Sequence, residues 1–242
     1  MAKQSRKPYS YHKKKCSLNY KKMDSISGNL VLAKLVDQYP LSSRVLLKYG
    51  LDFCCGGKNT VAQACEAREI DLDMVISDLG LCKLKSSNKI WSSASNQELI
   101  THILDSYHAP LHENLPHLAE LLSRVEKAHA PKYKQLFIDL AQTIFNFSSE
   151  LIDHMAKEEQ ILFPWILANR QPRPIEPIHC MKKDHQIASA FLTQLAELTN
   201  NYQPPKEACT TWKSLYTQLQ LFDHELRNHI HLENNILFPR FS

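Results

Sequence analysis

The sequence predicts an all-α protein, an antiparallel four-helix bundle preceded by a small helical domain, and three observations carry that prediction. An eleven-residue pattern, His-x-x-x-Glu-x-x-Ile-Leu-Phe-Pro, occurs twice, at 154–164 and 229–239. Around both copies, apolar residues recur with the 3.6-residue period of a helix buried along one face. Only five of the 242 residues are glycine and 43% are hydrophobic, a composition that suits helices around a core.

The chain opens with a basic segment. Residues 1–23 carry eight Lys and Arg and no acidic side chain, leaving 21 basic against 25 acidic side chains in the remainder. A run of this kind can bind nucleic acid or anionic membranes, and it can equally be a disordered extension or the product of a start assigned ahead of Met23. We read 1–24 as a disordered extension and expect no nucleic-acid partner.

A small helical domain is expected over 25–85. Apolar positions 30, 32, 35 and 36 set one helix between Asn29 and Gln38, and a second runs from about Leu41 to Tyr49. Gly50 suits the left-handed residue that ends a helix. Thr60 and Gln63 have the spacing of a capping box that starts the next helix. The last helix runs from Asp71 to about Lys83. Between the second and third lies Leu51-Asp-Phe-Cys-Cys-Gly-Gly-Lys-Asn-Thr60, a turn built on Gly56 and Gly57 that presents Cys54 and Cys55. The serine-rich stretch 86–95 reads as a linker.

Residues 96–242 supply the bundle. The first long helix aligns Ile100, Ile103, Tyr107, Leu111, Leu115, Leu118 and Leu122, with His108 beside the stripe. Pro110 and Pro116 must bend it or sit where a donor is dispensable. The second aligns Phe137, Leu140, Ile144, Phe147, Leu151 and Met155, and His154 and Glu158 fall in the same arc. The third aligns Met181, His185, Ala188, Leu192 and Leu195, and the fourth Trp212, Leu215, Leu219, Phe222, Leu226, His229, Glu233 and Ile236. Short connections between the four favour an up-down-up-down arrangement.

Polar residues inside those stripes are the functional signal. His and Glu four apart share a helix face, so two copies of the repeat offer two imidazoles and two carboxylates to one place. His108 lies 46 residues before His154 and His185 lies 44 before His229, so each half of the bundle carries an additional His. A buried polar group without a partner costs on the order of 1–3 kcal/mol, so this set would oppose packing unless it shared a partner. Imidazole and carboxylate donors suit iron, manganese or zinc. Six ligands exceed one tetrahedral zinc and divide between two ions, two His each, with the carboxylates as bridges. A carboxylate-bridged dinuclear iron centre is the best chemical match.

Seven cysteines without C-x-x-C spacing argue against a disulfide framework and for a reducing compartment. No apolar run approaches the roughly 18–20 residues of a membrane span, and no secretory signal is recognisable, so a cytoplasmic protein is expected. Adjacent cysteines bond to each other only with distortion. Cys54 and Cys55 are therefore read as free thiols, with a buried structural role as the alternative to a functional one.

The Asp52-Phe-Cys-Cys-Gly-Gly-Lys58 loop together with the duplicated His-x-x-x-Glu-x-x-Ile-Leu-Phe-Pro resembles the repair of iron centres family of hemerythrin-like di-iron proteins, from about Ser25 to the C-terminus. The resemblance implies that His108, His154, His185 and His229 are terminal iron ligands and that Glu158 and Glu233 bridge an oxo- and carboxylate-bridged pair of irons. It also implies a role in the nitrosative and oxidative stress response, repairing damaged iron–sulfur clusters of client proteins by supplying iron, with nitric oxide or oxygen as small ligands. A di-iron nitric oxide or oxygen reductase and a hemerythrin-like carrier or sensor are the alternatives, and an oligomer is left open. Cys54 and Cys55 are redox or iron-transfer candidates, and His129, in a turn, is a candidate near the channel to the metals. His112 is assigned to solvent or to a supporting role. His12, His102, His117, His179, His224 and His231 are expected at the surface.

Overall fold

The computed structural model describes residues 26–82 and 90–241, all helical elements and connections apart from one isolated bridge between Val31 and Thr60. The expected basic extension and residues 86–89 of the expected linker lie outside the described residues. No helix among the described residues is long and apolar enough to cross a membrane.

The N-terminal domain holds α1 (Leu32–Gln38), α2 (Ser42–Lys48), α3 (Val61–Glu66) and α4 (Leu72–Cys82). Its core is Leu32, Leu35, Leu46, Phe53, Val61, Val75 and Leu79, all buried. The expected stop and start signals are in place. Gly50 ends α2 with φ +64°, and a Cβ there would meet the Arg68 guanidinium at 3.0 Å. At α3, the Gln63 amide N–H donates to Thr60 Oγ1 (3.2 Å) while the Thr60 amide donates to Gln63 Oε1 (2.9 Å), which satisfies two otherwise orphaned donors.

The bundle has four arms. The first is α5 (Asn96–Ile103), a π turn at Leu104–His108 and the start of α6 (Ala109–Lys157). The second is the rest of α6, a π turn at Glu158–Leu162 and α7 (Phe163–Leu167). The third is α8 (Ile175–Leu198). The fourth is α9 (Thr210–Leu232) with a π turn at Glu233–Leu237. On a straight helix His108 and Glu158 would stand about 75 Å apart, yet their side chains approach to 3.4 Å. The chain therefore reverses inside α6, and it does so at Tyr133, the one residue there with non-helical angles (φ −125°, ψ 28°), two positions after Pro131.

Each π turn has the same cause. Ala109, Phe163 and Phe238 donate their amides five residues back, to Leu104, Glu158 and Glu233, and each is followed by a proline: Pro110, Pro164 and Pro239. Proline has no N–H and its ring collides with the carbonyl four residues earlier. Widening the preceding turn by one residue relieves the collision without ending the helix. Each widened turn carries one of the candidate metal ligands at its end or its start.

The stripes bury as their periodicity predicts, but the buried side chains form two clusters. One joins the N-terminal domain to the closed end of the bundle, from Leu32 and Phe53 to Leu111, Leu151, Ala188 and Ile230. The other lies at the open end, with Leu99, Ile103, Leu162, Phe163, Met181, Leu232 and Phe238. The six histidines and glutamates form the layer between them. Residues 90–95 are pinned rather than free: Asp37 accepts from the Trp91 amide (3.0 Å) and Ser92 Oγ (2.6 Å), and Arg240 donates to the Trp91 carbonyl (3.2 Å).

Candidate metal centre

One residue from the first arm (His108), two from the second (His154, Glu158), one from the third (His185) and two from the fourth (His229, Glu233) meet in this layer, all of them buried. Their donor atoms fall into two sets, His108 with His229 and His154 with His185, and Glu158 and Glu233 belong to both. Within each set the donors lie within 4.8 Å of one another. His108 Nε2 is 3.2 Å from His229 Nε2, and His154 Nε2 is 3.3 Å from His185 Nε2. Glu158 faces His108 and His154 at 3.4 and 3.3 Å, and Glu233 faces His185 and His229 at 3.1 Å each.

The outward ring nitrogens fix the tautomers. His108 Nδ1 donates to Glu159 Oε1 (2.7 Å), His185 Nδ1 to Asn234 Oδ1 (2.9 Å), and His154 Nδ1 faces Asp184 Oδ2 at 3.5 Å. A proton held at Nδ1 leaves a lone pair at Nε2, so His154 and His185 point two lone pairs at each other across 3.3 Å. Neither buried oxygen of Glu158 or of Glu233 has a hydrogen-bond partner among the described residues. Lone pairs and carboxylates converging without a donor are the electrostatic complement of cations, and the donor set fits a metal centre. Aromatic rings hold the imidazoles in place, with Tyr107 stacked on His229 (5.5 Å), Phe238 on His185 (5.8 Å) and Phe163 tilted against His108 (5.8 Å).

Protons compete with a cation for these same nitrogens and oxygens. Burial opposes charge on His154, but the Glu158 carboxylate and the Asp184 contact overcome it and lift the imidazole to about 10. Burial also works to raise Glu233, and His229 and His185 outweigh it, holding the carboxyl well below its usual range. Metal binding is therefore expected to release protons.

Over this layer sits the cysteine loop. Asp52 accepts from the amides of Cys54 (3.0 Å), Cys55 (2.9 Å) and Gly56 (3.1 Å). Asn235 donates to the Phe53 and Cys54 carbonyls (3.2 and 3.0 Å), and Asn234 donates to the Cys54 carbonyl (3.3 Å). A Cβ on Gly57 would stand 2.6 Å from both the Phe53 carbonyl and Asn235 Oδ1, so only glycine permits this approach. Beside His154 and His185, between the second and third arms, a cavity of about 20 Å³ lined by Leu151, Ala188, Phe191 and Ile230 has room for one water-sized molecule.

Not every sequence reading is matched. His129 is not brought to the layer: it packs on Trp212 at 5.0 Å, and Trp212 precedes His229 by about 25 Å along α9. Its turn belongs to the far end of the bundle. His231 is buried, not exposed, because the N-terminal domain covers its face of α9 and places Phe53 against it at 5.8 Å. His224 is half-buried for the same reason and bonds Ser43 at 2.9 Å, and His102 is half-buried under Trp91 (3.9 Å). His112, His117 and His179 are exposed. The residues that sequence reasoning missed are Glu159, Asp184, Asn234 and Asn235. The first three directly follow or precede a candidate ligand in the chain, the one signal that could have found them.

Residues 99–241 match the hemerythrin HHE cation binding domain, and residues 29–83 match a Domain of Unknown function (DUF542). The chain is 40% identical over 209 residues to iron-sulfur cluster repair protein YtfE of Escherichia coli O81, covering 86% of this chain and 94% of that protein. It is 39% identical, with the same coverage, to the proteins of that name in Escherichia coli O157:H7 and Escherichia fergusonii.

Proposed function

Because the chain belongs to the hemerythrin HHE cation-binding family, in the two-domain form of its iron-sulfur cluster repair relatives, we propose that it repairs damaged iron–sulfur clusters by delivering iron from a di-iron centre. His108 and His229 would hold one iron, His154 and His185 the other, and Glu158 and Glu233 would bridge them. The observation that carries this reading is the pair of imidazole contacts at 3.2 and 3.3 Å across two carboxylates without hydrogen-bond partners. Two sets of four shared donors suit two equivalent ions better than one.

The bound iron supplies the cargo for a depleted cluster, and a binding place for nitric oxide or oxygen. The chain's own residues do the rest. Glu159, Asp184 and Asn234 orient three of the imidazoles and keep their Nδ1 protons outward. The two hydrophobic clusters exclude bulk water from the layer. Both sets depend on the same two carboxylates, so release of one ion leaves the other with unshared charge, which favours exchange over permanent storage. Cys54 and Cys55, on the loop beside His185, would receive iron on its way to a client.

The cavity beside His154 and His185 favours a second reading, a di-iron reductase of nitric oxide or oxygen, since it admits a molecule of diatomic size to that half of the centre. Iron-loaded protein incubated with a dehydratase whose [4Fe–4S] cluster has been damaged by nitric oxide separates the two. The proposal predicts recovery of dehydratase activity with matching loss of iron from this protein. Repeated consumption of nitric oxide with an electron donor and no loss of iron would support the reductase instead.

A further inference from the structure

We propose that Asp52, Cys54 and Cys55 form a third metal site, a transit site for one divalent ion of the ferrous type. Its place in iron delivery rests on the function proposed above, whereas its existence rests on the loop alone. One carboxylate oxygen and both sulfurs lie within 4.8 Å of one another. Cys54 Sγ stands 3.9 Å from Cys55 Sγ and 3.2 Å from Asp52 Oδ1. A tetrahedral ion with two thiolates at about 2.3 Å spaces the sulfurs about 3.8 Å apart, so the thiols already have the spacing of a bound pair. Both cysteines are free.

The set is ordered before any ion arrives. Three backbone amides hold the Asp52 carboxylate, and Gly56 and Gly57 let the chain turn tightly against it: a Cβ on Gly56 would lie 2.8 Å from the Asp52 carbonyl. Cys54 is buried and Cys55 exposed, so the site has one wall in the protein and one open to a partner. The hydrogen bond that Cys54 donates to Cys55, burial and the Asp52 charge together push the Cys54 thiol well above its usual range, while the Arg227 guanidinium works the other way. Thiols bind metal as thiolates, so a cation entering the site displaces protons to solvent. Two thiolates and a carboxylate with one position open favour an ion of borderline softness over magnesium or calcium.

The position of the site gives it a direction. Cys55 Sγ is 3.8 Å from the His185 carbonyl oxygen. Asn234 accepts from His185 Nδ1 and donates to the Cys54 carbonyl, so one side chain touches both a ligand of the bundle and the loop. An ion leaving the His154 and His185 half meets sulfur next, the donor type it will have in an iron–sulfur cluster.

Cobalt(II) is the probe, titrated anaerobically into the full chain already loaded with iron. One additional equivalent should bind with thiolate-to-cobalt charge-transfer absorption and with no change in iron content. Cys55→Ser, at an exposed position, should abolish the band, and Asp52→Asn, which keeps an oxygen acceptor for the loop amides, should weaken cobalt binding at least tenfold. No band in the wild-type chain, or a band that survives in Cys55→Ser, overturns the site. An iron content other than two would instead count against the di-iron reading, and the cobalt band would still report on the loop.

Discussion

Glu158 and Glu233 are fully buried carboxylates facing each other in a helical core, and several kcal/mol of desolvation per ion opposes that placement unless a cation is shared. Metal removal should therefore lower stability by about 4 kcal/mol for each site that the free metal, at a thousandfold excess over its Kd, would have filled. Calorimetry with and without chelator measures it. In Glu158→Leu the helices should persist, since leucine suits both helix and core. Iron content should fall to one or fewer, and the gap in Tm between loaded and stripped protein should narrow. A second residue-scale expectation concerns Asn234. Asn234→Leu removes the acceptor of His185 Nδ1 and the donor to the Cys54 carbonyl, at a cost of about 1–3 kcal/mol. Alkylation of Cys55 should then speed up several-fold as the loop loosens, measurable by mass spectrometry. The six candidate ligands were legible because their spacing puts them on the buried face. Glu159, Asp184 and Asn234 were not, since a position one residue along a helix turns about 100° away and reads as surface.

At the scale of elements, the four stripes were legible almost residue by residue, because burial on one face is what a 3.6-residue period encodes. The prolines were only half legible. Pro164 closes the apolar run of the repeat, but nothing in the sequence shows that the helix widens ahead of it before continuing to Leu167. A hydrogen bond to the fifth residue back is local geometry that no apolar pattern records. The reversal between the first two arms was legible as a turn around His129, and the structure places it at the single residue Tyr133, two positions after Pro131. The π turn after Glu158 sets the angle at which Phe163 meets His108. Pro164→Ala should let this turn close to an α-helical one, gaining helix stability while rotating Phe163 by about 100°. The stripped protein should melt higher than wild type and the loaded protein should lose iron to a chelator about tenfold faster, read by thermal melts and stopped-flow absorbance.

The molecule as a whole is joined more closely than its sequence suggests. A serine-rich stretch between two periodic regions reads as a linker, but docking depends on surfaces brought together from distant parts of the chain, and only the structure brings Phe53 to His231, Ser43 to His224 and the Cys54 carbonyl to Asn234 and Asn235. The buried residues of the N-terminal domain continue into those of the bundle without a break. A fragment from Ser95 to Ser242 keeps all six candidate ligands, so it should bind two irons. It should also melt lower and release iron faster than the full chain, because His185 loses the loop that covers it. The central claim, that four histidines and two shared glutamates hold a pair of irons, is tested most directly by Mössbauer spectroscopy with elemental analysis on the purified full chain. The account predicts two irons per chain in a spin-coupled pair whose coupling is lost in both Glu158→Leu and Glu233→Leu. One tightly held zinc after expression in iron-replete cells, or a coupled pair unchanged in both variants, would contradict it.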